Sequence, residues 1–92
     1  MGPIRDNVER QRFELEAEGQ IAFINYRRQG GVVVMNHAEV PAALNGRGIG
    51  SALVKEALEL VRSRNETVVP VCSFIVAYIR RHPEYQSLLA RN

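Results

Sequence analysis

Ninety-two residues and 10.3 kDa allow one modest domain around a single core. An apolar fraction of 46% argues against a disordered chain, and the lone cysteine, Cys72, excludes an intramolecular disulfide or a multi-cysteine metal centre. A net charge of +2 is too small for a long nucleic-acid footprint, although the bases, all arginine except Lys55, lead in the second half and point to an anion site there.

The polar start, Met1 to Arg12, has no signal-peptide core, and no segment approaches the ~20 apolar residues of a membrane span. With no disulfide, the expectation is a cytoplasmic chain. Arg-Phe-Glu-Leu-Glu-Ala at 12–17 alternates charged and apolar residues, which predicts a half-exposed strand. As a sheet edge it would be open to a second copy, opposed by Glu14 and Glu16. Turns at Glu18-Gly19-Gln20 and Gln29-Gly30-Gly31 set off strands at 21–27 and 32–40, predicting an antiparallel meander. The apolar run opening the third strand suggests cover on both faces. Arg27 and Arg28 flank a turn and are expected to be solvated. Met35 and His37 fall on one alternate-residue face, with Met35 in the core.

Pro41 stops the third strand. Asn45-Gly46-Arg47-Gly48-Ile49-Gly50-Ser51 then makes a glycine-rich turn into a helix reaching about Arg64, its apolar stripe formed by Ile49, Leu53, Ala57, Leu60 and Val61. A β-branched run at 67–72 predicts a fourth strand, and Pro70 places it at an edge or a bulge. A short helix over 73–81 follows, with Ser73 as N-cap and His82-Pro83 as its stop; Glu84 to Ala90 forms a last helical turn. His82 is expected to serve the end of the short helix. The strand–helix–strand unit requires a right-handed crossover and parallel strands, giving a mixed sheet of the α+β or α/β class.

A glycine-rich entry to a helix suits an anion. The first helical N–H groups lack internal partners, the macrodipole is positive there, and glycine lets a phosphate approach the backbone. A pyrophosphate is the natural ligand, with Arg47 adding a cation. The P-loop needs a closing Lys-Ser/Thr pair that is absent, and the dinucleotide fingerprint needs a glycine spacing other than Gly46, Gly48, Gly50. The alternative is a helix entry that merely needs flexible turns.

The stretch Glu39-Val40-Pro41 through Asn45-Gly46-Arg47-Gly48-Ile49-Gly50-Ser51-Ala52-Leu53 resembles motif A of the GCN5-related N-acetyltransferases, Gln/Arg-x-x-Gly-x-Gly/Ala. It matches at Gly48 and Gly50 and departs at Asn45. His37-Ala38-Glu39-Val40-Pro41, Val69-Pro70-Val71-Cys72 and Tyr78-Ile79-Arg80-Arg81-His82-Pro83-Glu84-Tyr85 together resemble the small single-domain subfamily of these enzymes, from about Phe13 to Leu89.

The resemblance implies a three-layer fold, a mixed sheet flanked by helices, with 1–92 as one minimal acetyltransferase domain and an ordered core at about 12–90. It implies acetyl-CoA as cosubstrate, no metal, and an amine acceptor: a protein lysine, an N-terminus or a small amine. Nucleic acid and membrane are not expected partners, and a monomer or weak homodimer is. The pyrophosphate would rest on Asn45, Gly46, Arg47, Gly48, Ile49, Gly50 and Ser51, with Asn45 giving a weaker grip than arginine. The third and fourth strands would splay, leaving backbone near Val40 to pair with the pantetheine arm.

Four side chains are candidates for chemistry. Tyr78 is the family-like acid for the leaving thiolate, or a packed aromatic. Cys72, at a helix N-terminus that favours a thiolate, is a nucleophile or a small buried hydrophobe. Glu39, with His37 two residues away, takes the amine proton, or the two form a hydrogen-bonded pair beside the cleft. A non-catalytic CoA-binding regulatory module is the competing function. A nucleic-acid binder built on the downstream arginines lacks aromatic interleaving.

Overall fold

The computed structural model describes residues 2–91. The chain runs β1 (Arg5–Asn7), β2 (Arg12–Ala17), β3 (Gln20–Gln29), β4 (Val32–Glu39), α1 (Ile49–Ser63), β5 (Thr67–Pro70) and α2 (Ser73–Arg81), with 3-10 turns at Ala42–Leu44 and Pro83–Leu88. The five strands form one sheet in sequence order. β1 to β4 are antiparallel, and β5 joins β4 in parallel at the far edge. This is the mixed sheet with helices that the sequence predicts.

Alternation decides which side chains go inside. Phe13 and Leu15, Ala22 and Ile24, Val33 and Met35, and Val68 are fully buried. They meet Leu53, Val54, Ala57, Leu58 and Val61 of α1 and Ile75 and Ile79 of α2 in one continuous cluster. The β3–β4 hairpin turns through Gly30 and Gly31, both at positive φ (53° and 82°), the pair of conformations a two-residue turn needs to match strand twist. α1 ends where Asn65 turns left-handed (φ 55°) and the Glu66 N–H returns to the Val61 carbonyl.

Several expectations are corrected. Residues 12–17 are not an edge, because β1 pairs along β2. β4 is not covered on both faces: Val32 and Val34 remain half-exposed opposite Val33 and Met35. β5 stops at Pro70 because the Val71 and Cys72 N–H groups both turn to the Met35 carbonyl, at 2.9 and 3.3 Å. The residue capping α2 is Cys72, without a side-chain cap bond, not Ser73. The last helical turn is 3-10, and Pro83 opens it.

Met35 and His37 do not share a face. β3–β4 pairing shifts register at Asn25/Tyr26: Tyr26 opposes Met35, and Asn25 opposes His37. Asn36 is the extra residue of a β-bulge, which turns His37 outward while Met35 stays in the core.

β1 is held by charge. Glu14, only 4% exposed between Phe13 and Leu15, accepts from Arg12 at 2.6 Å, Arg5 at 2.7 Å and Asn7 at 3.1 Å. Asp6 accepts from Tyr26, Arg64 and Arg28, and Arg28 also pairs with Glu66 at 2.7 Å, so Arg28 is not merely solvated. Burial opposes ionisation of Glu14, but its donors outweigh it and hold the carboxyl at about 2 against an ordinary 4.5; Asp6 is lowered in the same way.

A depressed carboxyl stabilises the fold above its unfolded pKa, and that contribution fades as pH falls from about 4.5 toward 2. Glu14→Gln should therefore cost about 2 kcal/mol at neutral pH. It should also flatten the acid limb of the stability profile, as read by urea unfolding at pH 7, 4 and 3. A variant with wild-type stability at all three would remove Glu14 from this role.

Candidate functional site

β4 and β5 pair only from Val32–Thr67 to Met35–Pro70. Beyond Met35, β4 continues to Glu39 paired to β3 alone, while β5 turns into α2. The splay implied by the resemblance is thus present, and it leaves one side of β4 without a strand partner near Val40.

A cleft of about 410 Å³ opens beside it. Ala38 and Val40 form one wall, the loop residues Leu44, Asn45 and Gly46 another. Gly48, Ile49, Gly50, Ser51 and Leu53 at the start of α1 and Phe74 of α2 complete it. Seven of the eight residues expected to hold a cofactor therefore meet in one cavity. Arg47 is the exception: its guanidinium pairs with Glu18 of the β2–β3 turn.

Gly48 caps α1 in the left-handed conformation (φ 71°), with no side-chain cap bond and no acidic residue in the first turn. The early N–H groups of the helix thus face the cleft without a side-chain competitor. A Cβ built at Gly46 (φ 79°) or Gly48 would meet no atom within 4 Å. Both glycines hold a positive φ that turns the chain into α1 with no side chain over the helix start, which suits an anion held by backbone N–H groups.

None of the four candidate catalytic residues lines this cleft. His37 and Glu39 lie on the outer face of β4, more than half exposed, with His37 Nε2 donating to Glu39 Oε1 at 3.2 Å and the ring edge-on to Phe23. Ala38 and Val40, one residue on from each, face the cleft. The pair is thus on the opposite side of the same strand.

Cys72 is half-buried at the start of α2, against the core. Its carbonyl accepts the Ile75 and Val76 N–H groups.

Tyr78 is buried one helical turn beyond Phe74 and stacks on His82 at 4.0 Å. Burial, then Glu84, Glu59 and Glu56, push its hydroxyl above the ordinary tyrosine range. His82 donates to the Tyr78 carbonyl through its backbone N–H and Nδ1, closing α2 as expected.

Sequence reasoning missed Ala38, Leu44, Leu53 and Phe74. The alternation of β4 names Ala38 once the bulge is known. The approach of Phe74 to α1 has no local sequence signal.

No group of three or more potential ligand side chains is placed to hold a metal among the described residues. No described helix is long and apolar enough to cross a membrane.

Comparison with known proteins bears on the family and the fold. Residues 12–88 match the family model described as GCN5-related N-acetyl-transferase. The chain is similar to Protein NATD1 of Mus musculus, 36% identical over 95% of this chain and 84% of that one. Its similarity to Protein NATD1 of Homo sapiens is 37%, over 62% of this chain and 50% of that protein. In structure it resembles, at a TM-score of 0.71 and 25% identity, the solution structure of a GCN5-like candidate N-acetyltransferase from Staphylococcus aureus, over 97% of this chain and 88% of that one.

Proposed function

This chain belongs to the GCN5-related N-acetyltransferases, and from that premise we propose that it is an acetyl-CoA-dependent N-acetyltransferase acting on an exposed amine. The observation that carries the reading is the cleft itself. A glycine-capped helix N-terminus suited to pyrophosphate opens directly onto the unpaired edge of β4. A linear ligand with a pyrophosphate at one end and amides in its arm suits both halves, the amides pairing with β4 as an added strand does.

In this reading Gly46, Gly48, Ile49, Gly50 and Ser51 receive the pyrophosphate through backbone N–H groups, with Asn45 beside them. Arg47 contributes once released from Glu18. Bound acetyl-CoA supplies an acyl thioester. Transfer forms a C–N bond to the acceptor and breaks the C–S bond, leaving one proton to be removed from the amine and one to be delivered to the thiolate. Glu39, held by His37 on the outer face, takes the amine proton, and the departing CoA thiolate takes its proton from solvent at the open mouth of the split. Tyr78 is assigned to packing at the α1–α2 contact, and Cys72 to the turn into α2, so transfer is direct. The outer face around Glu39 is open, which favours an acceptor amine presented on a protein or a small polyamine over one that needs an enclosing pocket.

A CoA-binding module without catalysis is the second reading. It is favoured by one observation, that no candidate catalytic side chain lines the cleft.

A thermal-shift titration with CoA and acetyl-CoA tests the binding claim common to both. Ligand at a hundred times its dissociation constant adds about 2.7 kcal/mol, so the midpoint of a domain this small should rise by roughly 10–20 °C. No shift at millimolar ligand would sink both readings. A shift without acetylation of polyamine or lysine-peptide acceptors would leave the binding module.

A further inference from the structure

Phe74, in the first turn of α2, is 42% exposed and is the aromatic side chain of the cleft wall. Its ring lies so near α1 that a methyl group on Gly50 would sit 3.0 Å from Phe74 Cζ and 3.4 Å from Cε2. The same methyl would be 3.6 Å from Val40 Cγ2. Phe74, Gly50 and Val40 therefore converge on one point from α2, α1 and the end of β4.

That point lies past the last β4–β5 pair, Met35–Pro70, where the chain has just left β5 for α2. The ring crosses from the β5 side of the split to the α1 side. The aromatic pairs of the core, Phe13–Tyr26 and the Tyr78 stack with His82 and Tyr85, do not include it. A half-exposed phenyl ring over a glycine gives up little packing when it moves, and gains apolar cover when a ligand lies along it.

We propose that Phe74 positions the arm of the ligand: its ring lies across the passage from the glycine loop to the β4–β5 split and packs on the apolar part of the pantetheine chain. This rests on the reading of the cleft as an acyl-CoA site. Phe74 touches the arm and none of the reacting atoms, so it acts by holding the thioester at the split. It also sets the class of ligand, favouring carriers with an apolar arm over plain nucleoside diphosphates that offer only the pyrophosphate.

The test compares CoA with ADP, which shares the pyrophosphate and lacks the arm, on the full chain. Binding is read by calorimetry for CoA and by chemical-shift titration for ADP, with kinetics in acetyl-CoA. Phe74→Ala should weaken CoA binding roughly tenfold, the scale of a lost aromatic contact, and leave ADP binding unchanged. Phe74→Leu should recover most of the CoA affinity. In transfer assays the KM for acetyl-CoA should rise more than kcat falls.

Wild-type CoA affinity in Phe74→Ala, or parallel loss of CoA and ADP, would overturn the assignment. If the wild-type chain bound neither ligand, the acyl-CoA reading itself would fall, a result distinct from any failure confined to Phe74.

Discussion

Gly48→Val is expected to lower CoA affinity at least about a hundredfold while leaving a folded protein, because the substitution acts twice at one point. Gly48 is left-handed at φ 71°, where a β-branched residue is strained by about 1–2 kcal/mol. Its Cβ would meet nothing within 4 Å, so no clash with the protein compounds that cost. A domain with an ordinary stability reserve of about 5–15 kcal/mol survives it. CoA binding is expected not to survive it, because the side chain would cover the start of α1 and the strain would re-aim its first N–H groups. Calorimetry with CoA, beside a urea unfolding curve, separates the two effects. CoA affinity within threefold of wild type would exclude the loop as the phosphate cradle.

Replacing the carboxylate of Glu39 by an amide should reduce kcat roughly a hundredfold, the usual scale for loss of a general base. Glu39→Gln keeps the size of the side chain and its contact with His37, and the residue lies on the face of β4 away from the cleft. The KM for acetyl-CoA should accordingly stay within about twofold of wild type. His37→Ala, which removes only the orienting partner, should cost roughly fivefold. Steady-state kinetics with saturating acceptor read both. Unchanged kcat in both variants would take the pair out of the mechanism and strengthen the case for a binding module.

How much of this was legible depended on whether the signal was local. β2, the β3–β4 hairpin, α1 and α2 announce themselves by period and by turn residues, and their bounds fall within a few positions of those expected. The glycine loop was legible for the same reason, since left-handed turns at Gly46 and Gly48 leave their mark in composition. β1 was not. Arg5, Asp6 and Asn7 carry no apolar alternation, and what fixes them is ionic contact with Glu14, Arg28 and Arg64, the last 58 positions away. The end of β5 also depended on a distant group, the Met35 carbonyl. So did the surroundings of Tyr78. The family resemblance made it the acid for the leaving thiolate, but the packing of α1 and the Pro83–Leu88 turn encloses it near carboxylates and away from the cleft lining.

The extra residue at Asn36 divides β4 into two lengths that answer to different constraints. Before it the odd-numbered positions, Val33 and Met35, belong to the interior; after it the even-numbered ones, Ala38 and Val40, turn inward and the odd-numbered His37 and Glu39 turn out. A strand of constant parity would have buried a histidine and a glutamate under α1 and pointed the wall of the cleft at water. The strand can therefore be redesigned piecemeal. Volume changes at 33 and 35 should be felt as stability, changes at 38 and 40 as ligand affinity, and changes at 37 and 39 as turnover. Straightening the bulge with Asn36 kept in the strand would exchange the last two sets at a stroke, whereas deleting Asn36 would leave both facing as they do, so the extra residue acts as the phase setting for the whole site.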